Sequence, residues 1–111
     1  MSIFKTYETK VIYLLAASVL SPRQIETLVS EGEFVGYEYT GSGYFLSVRH
    51  ASLPGERIVC DRPLLMGKAD GIDCGFVIFI EDGHLTIECH SWGELEVPED
   101  YRDRDVQVAA I

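Results

Sequence analysis

The chain has 111 residues, of which 47% are apolar and 24% are charged, and its formal net charge is −9. These are the proportions of one ordinary globular domain, and they exclude a disordered chain or a fibrous repeat. Nine acidic residues lie between Glu81 and Asp105, with only Arg102 and Arg104 to balance them. Such a charge repels nucleic acid and anionic lipid and attracts basic proteins, so we expect neither a nucleic-acid nor a membrane partner.

The cysteines and the N-terminal apolar run indicate the compartment. Cys60, Cys74 and Cys89 are too few and too widely spaced for a disulfide framework. Because free cysteines are typical of a reducing compartment, we predict a cytoplasmic protein. The run of ten apolar or small residues at 11–20 is too short to cross a bilayer and ends without a signal-peptidase site. We therefore expect it to belong to the folded domain.

The segment at residues 3–19 has the apolar pattern of a helix. Its apolar side chains recur at spacings of three and four, as one face of a helix requires. The members of this row are Phe4, Tyr7, Val11 and Leu14. The β-branched and aromatic residues at 11–13 leave a buried strand as the alternative.

A second helix is predicted to begin after Ser21. Ser21 is suited to cap the helix, Pro22 to the first helical position, and Gln24 to close a capping box. Gly32 is expected to end the helix in a left-handed conformation. The expected buried face is Ile25, Leu28 and Val29.

Two hairpins follow, and their turns predict the strand registers. In the first, Gly41-Ser42 suits a two-residue turn and pairs Tyr39 with Tyr44. The same register pairs Tyr37 with Leu46 and Val35 with Val48 on one apolar face, with Phe34 on the opposite face. In the second, Asp82-Gly83 suits a type I′ turn. It pairs Ile80 with Leu85, Ile78 with Ile87, and Phe76 with Cys89.

These elements predict an α+β fold. We expect two N-terminal helices packed on one face of a mostly antiparallel sheet of about five strands, in a single domain covering residues 1–111. The sequences "RIVC" and "VQVAAI" supply a short strand and a possible edge strand, and the stretch between "RIVC" and the second hairpin is interpreted as a loop.

The adjacent Cys89 and His90 resemble a nucleophile and its base. However, successive side chains of a strand point to opposite faces, so the register predicts Cys89 in the core and His90 outside it. We therefore predict no catalytic residue, no metal site and no cofactor from this pair.

The opposite face of the second hairpin offers an alternative ligand site. His84, Glu88 and His90 share that face and are types that bind metals or move protons. Their spacing of two residues along a strand separates neighbouring backbones by about 6.5 to 7 Å, and no dense ligand motif is present. A small-ligand protein, a metal protein or an enzyme that uses these three residues is the alternative hypothesis.

The segment "SWGELEVPEDYRDRD" carries the leading hypothesis. An aromatic anchor among acids can bind and steer a basic protein. The candidate contact residues are Trp92, Glu94, Glu96, Glu99, Asp100 and Tyr101. A solvated connection with local ion pairs is the alternative interpretation of this segment. We expect a non-catalytic protein-binding module, of the size and charge of inhibitor or immunity proteins, and homo-oligomerisation remains a third hypothesis.

Overall fold

A computed structural model describes residues 3–93 and 96–111 of the chain. Two helices come first, α1 (Thr6–Ala16) and α2 (Pro22–Glu31). The strands are β1 (Glu33–Tyr39), β2 (Gly43–Arg49), β3 (Ile58–Cys60), β4 (Leu65–Ala69), β5 (Ile72–Glu81), β6 (His84–Ser91) and β7 (Gln107–Ala110). A short 3₁₀ turn at Tyr101–Asp103 precedes β7. The fold class is therefore α+β, as the sequence predicted.

Both helices form where the sequence predicts them. Residues 6–16 are helical, so the buried-strand alternative for this segment is wrong. In α2, the Ser21 hydroxyl accepts a hydrogen bond from the Gln24 N–H, and the Gln24 side chain accepts one from the Ser21 N–H. This reciprocal pair is the predicted capping box. Neither helix in the described part of the chain is long and apolar enough to cross a membrane.

The end of α2 differs from the prediction. Gly32 has φ −57° and not the left-handed conformation, while its N–H donates to the Leu28 carbonyl at 2.8 Å. A Cβ atom at this position would lie 2.4 Å from the Leu28 oxygen. Close approach to the preceding turn, and not a positive φ, is therefore the reason that glycine fits here.

The sheet is antiparallel and larger than predicted. The strand order is β1-β2-β6-β5-β4-β7, and β3 pairs with β5 beside β4. The prediction of about five strands is wrong because β4 lies in the stretch interpreted as a loop. Asp70 and Gly71, with φ of 52° and 80°, turn the chain directly from β4 into β5. An Asp-Gly turn of this kind indicates a hairpin. The prolines and glycines around it are typical of a loop, and for that reason the strand was not predicted.

The second hairpin, β5–β6, has the predicted register. Asp82 and Gly83 both have positive φ, at 51° and 74°. All three predicted pairs are present, including Phe76 opposite Cys89. The turn alone therefore sets which face of the sheet each side chain of this hairpin occupies.

The first hairpin, β1–β2, follows its predicted register only near the turn. Tyr39 pairs with Tyr44 and Tyr37 with Leu46, but the register shifts before Gly36. Val48 consequently pairs with Phe34, so the predicted pair with Val35 and the predicted face of Phe34 are wrong. Because β1 is an edge strand, one inserted residue there disturbs only one ladder.

One buried cluster joins both helices with the sheet. It includes Val11 and Ile12 of α1, Leu28 of α2, and Ile78 and Ile87 of the central strands. In β2, β6 and most of β5, buried side chains alternate with half-buried or exposed ones, and we call the face that carries the second set the outer face. Its central members are Phe45, Ser47, Val77, Phe79, Thr86, Glu88 and His90.

Candidate functional site

The predicted binding segment follows β6 and runs along the end of the sheet. We call residues 96–105 the acidic segment. Its first attachment is Val97, whose N–H donates to the Gly41 carbonyl at 2.8 Å and whose carbonyl accepts from the Tyr39 hydroxyl. Val97 is buried. The segment is therefore fixed to the turn of the first hairpin.

The second attachment is Tyr101. Its side chain is buried, and its hydroxyl donates to the Ile72 carbonyl at 3.1 Å. From the sequence, Tyr101 was predicted to be one of the residues that contact a partner. Because its ring lies in the core, Tyr101 cannot offer that ring to a partner in this structure, and it serves instead to hold the segment.

The third attachment is an ion pair between Arg102 and Glu8 of α1. Arg102 Nε lies 2.9 Å from Glu8 Oε2, and Arg102 Nη2 lies 2.9 Å from Glu8 Oε1. The Lys5 N–H also donates to Glu8 Oε1, and Arg102 Nη2 also reaches the Ile3 carbonyl. Glu8 has no exposed surface. A two-pronged pair of this kind fixes geometry as well as charge.

Two tyrosines complete the surroundings of Glu8. The Tyr44 hydroxyl donates to Glu8 Oε2 at 2.6 Å, and the Tyr7 hydroxyl lies 2.8 Å from the Tyr44 oxygen and 3.1 Å from the Arg102 carbonyl, the two acceptors within reach of its proton. Burial, and after it the negative charge of Glu8, raises the pKa of both tyrosines far above the usual value. Both hydroxyls therefore stay protonated as donors at neutral pH.

The acidic side chains of this segment face outward. Glu96, Glu99 and Asp100 are exposed. Asp100 forms an ion pair with Arg104 at 3.0 Å, and Arg104 also reaches Asp70. Glu94, which the sequence placed in the same set, lies outside the described residues.

Trp92 lies at the start of this region, at the end of β6. Its N–H donates to the Asp73 carbonyl at 3.0 Å, and its side chain is 42% exposed. A Cβ atom on Gly75 would lie 2.3 Å from Trp92 Nε1, so only glycine lets the indole lie against β5. The side chain is thus both exposed and supported.

Cys89 and His90 lie on opposite faces of the sheet, as predicted. Cys89 is 1% exposed, whereas His90 is half-buried on the outer face. Contact with the Cys74 thiol, together with burial, raises the pKa of the Cys89 thiol far above the usual value. A thiol held in its protonated form is a poor nucleophile.

The three residues of the alternative site do not meet at one point. His84 lines a cleft of about 380 Å³ with Glu31 and His50, near the Asp82-Gly83 turn. His90 lies six residues further along the strand, which is about 20 Å at about 3.3 Å per residue. Glu88 is between them, opposite Phe45 and Val77. Among the described residues, no group of three His, Cys, Asp or Glu side chains can hold a metal ion.

The sequence reasoning missed Glu8 and Arg102. Glu8 falls at a spacing of four residues from both Phe4 and Ile12, so a helical pattern puts it in one row with these two apolar residues. An acid in that row is a signal of a buried charge, which requires a partner. Nothing local in the sequence identifies Arg102, 94 residues later, as that partner.

Comparison with models of protein families, with curated proteins and with solved structures finds no match to this chain. The function is therefore inferred from the chemistry of the chain itself.

Proposed function

We propose that this protein is a small cytoplasmic binding module that engages a basic partner protein through Trp92 and the acidic segment. In size and charge it resembles inhibitor or immunity proteins as a class. The observation that carries the proposal is that exposed acids stand on a backbone attached at three points, the buried Val97, the buried Tyr101, and Arg102 through its pair with the buried Glu8.

Attachment matters because binding normally requires ordering a flexible segment, which costs free energy. A segment that is already fixed loses less entropy when the partner arrives. Here Val97 and Tyr101 are buried, while Glu96 and Asp100, next to them in sequence, are exposed. This alternation supports a role of the acids in contact with another molecule.

The charge of the whole chain supports the same proposal. A net charge of −9 on 111 residues gives a field that accelerates encounter with a basic protein. Trp92 adds a half-exposed aromatic side chain, the residue type most enriched among those that dominate interface energies. The alternative use of His84, Glu88 and His90 gains no comparable support, because the three are spread along β6.

The test uses two variants with the same change of charge. Glu96→Lys/Glu99→Lys reverses two acids of the segment. Glu26→Lys/Glu31→Lys reverses two exposed acids of α2, and Glu31 lines the cleft at the opposite end of β6. Each immobilised protein is exposed to an extract of the native cells, and the affinity of each retained protein is measured.

We expect the wild type and the α2 variant to retain the same basic protein, and the segment variant to bind it about tenfold more weakly or worse. Binding should also weaken as salt rises from about 50 mM to about 300 mM, because salt screens exposed charges. Equal affinity of both variants for the retained protein would contradict the proposal. An affinity that does not change as the salt concentration rises would also contradict it.

A further inference from the structure

A small cleft lies between the β4–β5 turn and the end of β6. Its volume is about 250 Å³, below the range typical of drug-sized ligand sites. The residues that line it are Gly71, Ile72, Asp73, Ser91, Trp92 and Gly93. A cleft of this size suits one side chain of a partner better than a cofactor.

One wall of the cleft is the Trp92 indole. The backbone of Trp92 is held by the Asp73 carbonyl, and the ring rests on Gly75 beside His90. Trp92 as a whole residue is 42% exposed. An exposed indole face attracts cations more strongly than the ring of any other amino acid.

Asp73 supplies a negative charge to the same cleft. Its Oδ1 is covered, yet it has no hydrogen-bond partner among the described residues. The Lys68 Nζ atom is 3.9 Å away, which is an ion pair but too long for a hydrogen bond. The side chain as a whole is 43% exposed, so an entering group can reach the carboxylate. The exposed remainder of the carboxylate offers the ion pair, and a small shift of the side chain on binding would give the covered Oδ1 the donor that it lacks.

An indole and a carboxylate at one cleft suit a guanidinium group. Its planar face stacks on an aromatic ring while its edge donates two hydrogen bonds to a carboxylate. An ammonium group offers a point charge and no flat face. Resting on the proposed function, we propose that this cleft receives one arginine side chain of the basic partner, stacked on Trp92 and paired with Asp73.

The neighbouring charges determine how the site should respond to substitution. Lys68 is the cation that a bound arginine must displace from Asp73. Arg104 is already engaged by Asp70 and Asp100. Removal of the Lys68 charge should therefore strengthen binding, and removal of the Asp73 charge should weaken it.

The experiment uses the full chain and the fluorescence of Trp92, its only tryptophan. N-acetyl-arginine amide is titrated at constant ionic strength, with N-acetyl-citrulline amide as its neutral counterpart and N-acetyl-lysine amide as the ammonium probe. The arginine probe should change the fluorescence saturably with about millimolar affinity, as expected for one exposed side chain. Citrulline should give no saturable change, and lysine should bind more weakly.

The variants then test the assigned contacts. Asp73→Asn should weaken binding of the arginine probe about tenfold, because the charge of the ion pair is lost. Lys68→Met should strengthen it about threefold, while Lys10→Met, the same change at an exposed position of α1, should leave it unchanged. Equal responses to arginine, lysine and citrulline, or binding that ignores Asp73→Asn, would overturn the inference.

The outcome is separable from that of the proposed function. The Glu96→Lys/Glu99→Lys variant keeps both Trp92 and Asp73, and salt at about 0.15 M screens its change of charge, so binding of the arginine probe should stay within about threefold. If the arginine probe fails while the protein partner still requires Glu96 and Glu99, the cleft assignment is wrong and the proposed function stands. If the arginine probe binds through Asp73 while the partner ignores Glu96 and Glu99, the proposed function is wrong.

Discussion

Arg102 and Arg104 stand two residues apart in the acidic segment, but their partners differ. Arg102 pairs with Glu8, whose side chain is 0% exposed, and its own side chain is 19% exposed. Arg104 pairs with Asp70 and Asp100, whose side chains are 67% and 66% exposed. The same residue type therefore holds the segment in the fold at one position and forms a surface pair at the other. The difference between the two roles follows from whether the partner carboxylate is buried or exposed.

The largest expected effect is on the buried pair. Glu8→Gln should lower the free energy of unfolding by about 3–5 kcal/mol, because it leaves Arg102 without its carboxylate. Denaturation in urea measures the loss. The double variant Glu8→Gln/Arg102→Met removes both charges, keeps an acceptor for the Tyr44 hydroxyl, and should recover much of that stability. A double variant as unstable as Glu8→Gln would show that the unpaired charge is not the cause.

An intermediate effect is expected at Tyr44. Tyr44→Phe removes a hydrogen bond to a charged group and should cost about 1.5–3 kcal/mol at neutral pH. Burial and Glu8 raise the pKa of Tyr44 in the folded state. The contribution of this pKa shift to the free energy of unfolding is fully present below about pH 10, the pKa of tyrosine in the unfolded chain. It decreases as the pH rises above that value.

The difference in stability between Tyr44→Phe and the wild type should therefore shrink above about pH 10. Absorbance near 295 nm follows ionisation of tyrosine, and circular dichroism follows unfolding. In the wild type, ionisation of the buried tyrosines should coincide with unfolding. A difference in stability that stays constant through this pH range would count against the role assigned to Tyr44.

The smallest effect is expected at Arg104. Arg104→Gln should change the midpoint of urea denaturation slightly at low salt and not measurably at high salt, because both partner carboxylates are exposed. A loss comparable to that of Glu8→Gln would remove the contrast between the two arginines.

The hairpins show how far the sequence alone could lead. The β5–β6 register follows from Asp82-Gly83 because both residues adopt the positive φ that the turn requires. Extending that register by three pairs beyond Phe76 and Cys89 would also have placed Trp92 opposite Asp73. The same turn chemistry at Asp70-Gly71 signals β4, but the surrounding prolines and glycines favoured a loop interpretation.

Three features could not be predicted because they depend on contacts between residues that are distant in the sequence. The shift of register in β1 depends on its place at the edge of the sheet, which no local pattern reveals. The pairing of Glu8 with Arg102 joins residues 94 positions apart. The sequence around Tyr101 is typical of a surface aromatic among acids, yet its side chain is buried and its hydroxyl donates to the Ile72 carbonyl.

The irregularity at Val35 has a consequence for self-association. An edge strand with a regular row of free N–H and C=O groups is a template on which another chain can extend the sheet. In β1 the shift between Phe34 and Gly36 puts the two parts of that row out of step. A strand of regular geometry cannot match both parts at once, so β1 is a poor template for fibril growth despite its exposed aromatic side chains.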